Sequence, residues 1–344
     1  MTVFLVIIVL ALLAVTGWQI SKIFELSKSP DADTSQVANN KDNENQGKFM
    51  MGFAVFLYLL MFYCFWTFTN VTLPDAASEH GGKYDNLMLI SMLLIMFVQI
   101  VTQALLHYFA YKYRGAKGKR ALFYADNDKL EFIWTIIPVI TLAGLIIYGL
   151  FTWNDIMSVN EDEDPLVIEL YAQQFSWTAR YAGEDNTLGK ANVRFIEGIN
   201  ALGVDKEDSY AQDDKIVREL HLPVNRPVLF KLRSQDVLHS AYFPHFRAQM
   251  NVVPGMITQF GFTPTVTTQE MRSSDDMVDK VERINDIRKD NGDDSYEFDY
   301  FLLCNKICGQ AHYNMQMKVI VESEADYEAW LAEQSTFGES MSEE

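Results

Sequence analysis

The stretch Cys304-Asn305-Lys306-Ile307-Cys308-Gly309-Gln310-Ala311-His312-Tyr313-Asn314-Met315 gathers two thiols, an imidazole and a thioether within twelve residues. An apolar run, 300–303, precedes it and another, 317–321, follows, so it reads as a loop between two strands. Thiolates and thioethers are soft donors that select copper or zinc-like ions, and imidazole suits copper as well. A loop tethered between strands is a rigid place to hold such ligands. The residues alone leave three readings open. Two cysteines in an oxidising compartment can close a disulfide, which leaves His312 and Met315 without a role. A structural zinc site takes four Cys or His ligands and has little use for a thioether. A copper site uses all four side chains but needs a second imidazole. His239, in Ser234-Gln235-Asp236-Val237-Leu238-His239-Ser240 beyond an upstream strand, is the candidate. His80, His107, His221 and His245 read as structural, and Cys64, in an apolar run, as a small buried hydrophobe.

Outward from the loop, the chain from about 165 onward consists of short β-branched and aromatic runs separated by turn signals. Strands are expected over 167–171, 175–181, 217–222, 228–233, 257–262, 300–303 and 317–321, a spacing that suggests a β-sandwich or barrel. Two acidic stretches, near 183–215 and 265–297, interrupt the pattern and read as surface insertions; the second contains a helical run, 276–289.

The front of the chain is different. Four apolar stretches, 3–20, 49–68, 87–109 and 132–151, carry no internal charge and are long enough to cross a bilayer as helices. Only Met1 and Thr2 precede the first, so the basic leader of a signal peptide is lacking and a retained helix is expected. Residues 25–48, polar and rich in Asn, Asp and Lys, read as a flexible linker. Lys112, Arg114, Lys117, Lys119, Arg120 and Lys129 lie between the third and fourth stretches, against Lys83 alone between the second and third. The basic loop is therefore cytoplasmic and the C-terminal domain faces outward. Residues 1–153 balance 11 basic against 11 acidic side chains, whereas the rest of the chain holds 17 and 35, the source of the formal charge of -18. That acidic field excludes nucleic acid and favours a basic partner. Glu131, at the mouth of the fourth stretch, reads from its position alone as a carboxylate at a helix N-terminus.

Taken together, the Cys-x-x-x-Cys-x-x-x-His-x-x-Met loop and the upstream Asp-Val-Leu-His-Ser resemble the binuclear copper (CuA) site of cytochrome c oxidase subunit II. The segment 130–138, Val252-Val253-Pro254-Gly255 and Tyr327-Glu328-Ala329-Trp330-Leu331 are similar to that family as well, so the likeness covers roughly 80–331. The resemblance implies membrane helices followed by a cupredoxin-like all-β barrel on the outer face. It divides the chain into two additional helices (1–70), a family helix hairpin (71–153), a copper domain (154–331) and an acidic tail (332–344). By motif, Cys304 and Cys308 would bridge two coppers, with His239 and Met315 completing one and His312 and the backbone carbonyl of Lys306 the other. The family implies an aa3-type oxidase whose subunit I carries haem and CuB. In it, electrons arrive from a cytochrome c, or a cytochrome c domain of a neighbouring complex, and proton pumping follows. The setting it implies is the lipid of a bacterial inner membrane, among other oxidase subunits.

Glu131 aligns with a glutamate at the cytoplasmic entrance of a proton path. Tyr171-Ala172-Gln173-Gln174-Phe175-Ser176-Trp177 matches the aromatic stretch through which electrons come in, with Phe175 in place of the usual tryptophan and Trp177 retained. Lys306 stands where many relatives have a glutamate that also helps bind magnesium at the subunit interface, which puts that magnesium in doubt. Quinol oxidase subunits share the fold without the copper ligands. A nitric oxide reductase subunit or a copper-delivery protein are further alternatives.

Overall fold

The computed structural model describes residues 2–27, 40–69, 72–158 and 163–342. Two compact units are evident, one formed by Met1–Thr67 with Leu94–Glu131 and the other by Phe68–Leu93 with Phe132–Glu344.

In the first unit, α1 (Thr2–Ser27) is followed by α2 (Asn40–Phe68) and the C-terminal part of α3 (Gly81–Lys112). The linker expected over 25–48 is corrected in part: residues 40–48 are the first turns of α2, and 28–39 lie outside the described residues. α2 runs antiparallel along α3. Lys117 N donates to Asn40 Oδ1 (2.8 Å), the Phe53 ring lies 5.8 Å from that of His107, and Tyr58 Oη donates to Ile100 O (2.6 Å). Gly47 permits the approach, because a Cβ there would fall 2.8 Å from the Arg114 side chain and 3.2 Å from Tyr111. α2 therefore has a packing partner within its own chain. His107 is buried, its Nδ1 2.7 Å from Gln103 O. Cys64, expected to be buried, is exposed on α2.

α2, α3 and α4 (Asp128–Met157) are each long and apolar enough to cross a membrane; the apolar stretch described in α1, Val6–Ser21, is shorter. Their large apolar side chains point outward, the arrangement a lipid solvent requires.

In the second unit, two five-stranded sheets face each other. The first is ordered β3 (Lys215–Val217), β2 (Ser176–Tyr181), β1 (Leu166–Gln173), β5 (Val228–Ser234), β8 (Thr258–Phe262). The second is ordered β4 (Leu220–Pro223), β10 (Gln316–Glu322), β9 (Tyr300–Cys304), β6 (His239–Phe243), β7 (Ala248–Val252). β1 and β5 pair in parallel, as do β4 and β10; the other pairs are antiparallel. This is the cupredoxin-like barrel the sequence leads one to expect. Its interior holds Ile168, Leu170, Phe230, Phe243, Phe246, Phe260 and Phe262, the phenylalanines with ring centroids 4.7–6.3 Å apart. Burying each contributes about 1.5–3 kcal/mol.

One expected strand, 217–222, is two. Arg218 and Glu219 carry the chain from β3 in one sheet to β4 in the other. β6 and β7 were not anticipated. The second insertion forms α5 (Thr268–Arg272), closed by a Thr267/Glu270 capping box, and α6 (Asp275–Asn291), which buries Met277 and ends at Gly292 in a left-handed conformation.

The first insertion is not mere surface. β1 turns Ile168, Leu170 and Ala172 to the barrel interior, and Glu169 and Tyr171, on its other face, are buried too. Leu202, Val204 and Ala211 from the insertion cover Tyr171 together with Phe337 of α8 (Phe337–Ser342), which follows α7 (Glu324–Ala332). Beneath them Arg180 is clasped between Glu169 and Asp214, each 2.8 Å away, while Arg233 donates to Glu169 (2.7 Å). The acidic tail thus folds back on the insertion, with Phe337 N donating to Asp214 O (2.7 Å).

Candidate metal centre

Strand pairing brings the loop and the upstream histidine together. β6 pairs with β9 so that Ala241 faces Cys304, and Asn305 N donates to Ser240 O (3.0 Å). Cys304 N donates to Met315 O (3.0 Å), which closes the neck of the loop between β9 and β10. His239, the first residue of β6, is wholly buried and turns Nδ1 to within 3.7 Å of Cys304 Sγ, across 65 residues of sequence. Cys308 Sγ lies 3.9 Å from Cys304 Sγ, 3.6 Å from His312 Nδ1 and 3.8 Å from Met315 Sδ. Lys306 O stands 3.2 Å from Cys304 Sγ. The six donors expected from the sequence are thus assembled at one end of the barrel.

These spacings fit a metal. Ligand bonds of about 2.0–2.3 Å at tetrahedral to trigonal angles separate donors by about 3.3–4.0 Å. Sulfurs 3.9 Å apart are two free thiols, not the bonded pair of a disulfide. His239, Cys304 and Cys308 are the cluster of metal-binding side chains found among the described residues.

Electrostatics point the same way. Burial works against a Cys304 thiolate, yet hydrogen bonds from His239 and the loop backbone bring its thiol down to about 6. Burial, and then the charge on Cys304, push Cys308 up to about 11. One negative charge is accommodated readily and the second is not, unless a cation joins the sulfurs and takes both as thiolates. Burial also opposes protonation of His239, but Cys304 and Asp236 outweigh it and its imidazole is raised above the ordinary value.

Asp236 is the residue that sequence reasoning missed. Its Oδ1 lies 2.8 Å from His239 Nε2 and accepts from Val237 N (2.7 Å), while Oδ2 accepts from Gln174 N (2.7 Å). It fixes which nitrogen of His239 faces the sulfurs, as carboxylates behind metal-bound imidazoles do. Its place three residues before His239, in a turn entering a strand, was the available signal.

The aromatic stretch also reaches the loop. Phe175 is half-buried against Gly309, whose φ of +140° and missing Cβ leave room for it; a Cβ would lie 2.7 Å from Phe175 Cζ. Gln174 Nε2 donates to Cys308 O. Trp177 is buried, edge-on to His239 with centroids 6.2 Å apart. Glu131 is elsewhere, exposed in the first turn of α4 with its N–H donating to Asn127 O (2.9 Å). His80 sits near Arg247 O (3.4 Å), His221 is stacked on Trp330 (3.8 Å) and His245 is packed against Phe298 and Tyr300; none joins the centre.

A barrel of this kind, membrane helices ahead of it and a soft-donor site at its end define a membrane-anchored redox metalloprotein. The family description "Cytochrome C oxidase subunit II, transmembrane domain" matches residues 66–151, and "Cytochrome C oxidase subunit II, periplasmic domain" matches 166–270, ending before α6 and the 304–315 loop. The alternative cytochrome c oxidase subunit 2 of Bradyrhizobium diazoefficiens is 33% identical over 262 residues, 76% of this chain and 83% of that one. Cytochrome c oxidase subunit 2 of Cereibacter sphaeroides is 24% identical over 255 residues, covering 70% and 72%. Quinol oxidase subunit 2 of Bacillus spizizenii is 24% identical over 196 residues, covering 55% and 52%. The chain belongs to the cytochrome c oxidase subunit II family, as a membrane-anchored haem-copper oxidase subunit with a C-terminal periplasmic domain.

Proposed function

We propose that this chain is the electron-accepting subunit of an aa3-type cytochrome c oxidase in a bacterial inner membrane. It takes electrons from a cytochrome c at a binuclear CuA centre and delivers them to haem in subunit I, where oxygen is reduced to water and protons are pumped. The observation that carries this reading is the convergence of His239 with Cys304, Cys308, His312, Met315 and the Lys306 carbonyl at separations a metal requires. The same donor set favours the cytochrome c branch over the quinol oxidases among the relatives.

A copper pair bound at these donors would supply one-electron chemistry. The chain's own contribution is to hold that geometry. Cys304 and Cys308 would hold the metal pair through their thiolates, with His239 and Met315 serving one ion and His312 and the Lys306 carbonyl the other. The neck bond between Cys304 and Met315 and the Asp236 contact to His239 keep the donors fixed through a cycle. Phe175 on Gly309 and Trp177 beside His239 line the route by which electrons arrive. Glu131 takes protons from the cytoplasmic side. The residues present do not fit an interface magnesium: Lys306 puts an ammonium where a carboxylate is needed, and 304–315 contains no acidic side chain.

Copper-loaded full-length protein, solubilised from membranes, tests the reading by absorption and electron paramagnetic resonance. A purple mixed-valence two-copper signal is expected; a blue mononuclear copper or a zinc site overturns it. Unchanged turnover and pumping in Glu131→Ala would remove that residue from proton uptake.

A further inference from the structure

The segment joining α3 to α4 presents a surface that the redox site does not use. Residues 112–124 contain five basic side chains and no acidic one. Lys117, Lys119 and Arg120 are exposed and engage no side-chain partner among the described residues. Directly after them Leu122, Phe123 and Tyr124 are 92%, 93% and 76% exposed. The stem of the segment is fixed: Lys117 N is bonded to Asn40, Asn43 lies against Gly115, and Gly47 admits Tyr111 and Arg114. Beyond the Lys119 N–Ala116 O bond (3.1 Å), the next backbone hydrogen bond is from Glu131 N to Asn127 O. A firmly held stem therefore presents a short, unpaired, basic and then aromatic strip.

The setting selects its occupant. The strip lies between two helices long and apolar enough to cross a bilayer. Tyr124 precedes Asp128 by four residues, so it cannot stand more than about 14 Å from the start of α4. A tyrosine, a phenylalanine and a leucine so placed are side chains that settle at headgroup depth, and clustered Lys and Arg attract anionic lipid.

We propose that 117–124 is an interfacial anchor for anionic phospholipid. Lys117, Lys119 and Arg120 take headgroup phosphates, and Leu122, Phe123 and Tyr124 enter the boundary with the acyl chains. α2, through Asn40, Asn43 and Gly47, holds this strip in position.

The test replaces Phe123 with the photo-crosslinking residue p-benzoylphenylalanine in the full chain. The protein is reconstituted in phosphatidylcholine alone or mixed with phosphatidylglycerol, and adducts are read by mass spectrometry. A phospholipid adduct is expected in the mixed vesicles. It should fall at least about three-fold without phosphatidylglycerol, in high salt, or when Lys117, Lys119 and Arg120 are all changed to Gln. Equal yield in both lipids overturns the anionic assignment. No adduct, or an adduct to another oxidase subunit in place of lipid when the assembled complex is irradiated, overturns the anchor.

Discussion

Asp236→Asn isolates the contribution of the carboxylate behind His239. The substitution conserves size and removes the charge from a group that stands 2.8 Å from His239 Nε2 and accepts two backbone N–H groups at 2.7 Å. His239 is fully buried, so water cannot replace the lost partner. An amide can keep one acceptor toward the backbone, but it no longer orders the imidazole through a charge-assisted bond. Removing such a partner from a metal-bound imidazole costs 10–100-fold in metal affinity, or about 1.4–2.7 kcal/mol. Loss of the negative charge should also raise the midpoint potential, because the more positive oxidised centre is stabilised less. Competitive copper titration of the solubilised full chain measures the first effect and redox titration the second, with circular dichroism to confirm a folded barrel. A folded variant whose copper affinity stays within about two-fold of the parent would refute the reasoning and show that β6 pairing alone orients His239.

Gly309→Ala should displace the loop, because the new methyl would meet Phe175 and Gln174 at 2.7–2.9 Å in a backbone conformation other residues rarely adopt; copper content after equal loading should drop. Asp214→Ala leaves the Arg180 guanidinium buried with one carboxylate fewer and should cost about 3–5 kcal/mol in urea unfolding. Burial holds the His245 imidazole down to about 4, with Lys280 and Arg247 adding to the effect. The unfolded chain therefore binds that proton first as pH falls, so stability present above about 6.5 should decline toward pH 4 by at most about 3 kcal/mol. His245→Asn should flatten that part of the stability profile.

The 304–315 loop was legible because soft donors are rare and here stand close in sequence. His239 was a candidate that only the resemblance secured, since 65 residues separate it from Cys304 and a histidine at a strand end carries no signature of its own. Asp236 lay inside the quoted segment, but its role depends on where β6 begins. β6 and β7 escaped notice because they are five residues each, and β7 alternates Ala248, Met250 and Val252 with polar Gln249 and Asn251, without the β-branched and aromatic run that marked the other strands. The run 217–222 looked like one strand because composition cannot show a change of sheet. The second small core was hidden for a different reason. Hydropathy assigns Glu169, Arg180 and Asp214 to the surface, whereas they neutralise one another beneath Leu202, Val204 and Phe337. Glu131, by contrast, kept the exposed helix-start position its sequence context gave it.

The fold-back of the C-terminal segment has one more consequence. β3 is the last strand of its sheet and would otherwise offer unpaired backbone groups to any passing chain. Thr336 bridges to Lys215 on that strand, and Lys215 Nζ donates to Leu331 O (2.7 Å). Proteins tethered to a membrane meet one another at high local concentration, where an open strand invites edge-to-edge association. The residues after α7 thus act as a cover on a sticky seam, and a chain cut short before Thr336 should aggregate even with its cluster of sulfur and imidazole donors intact.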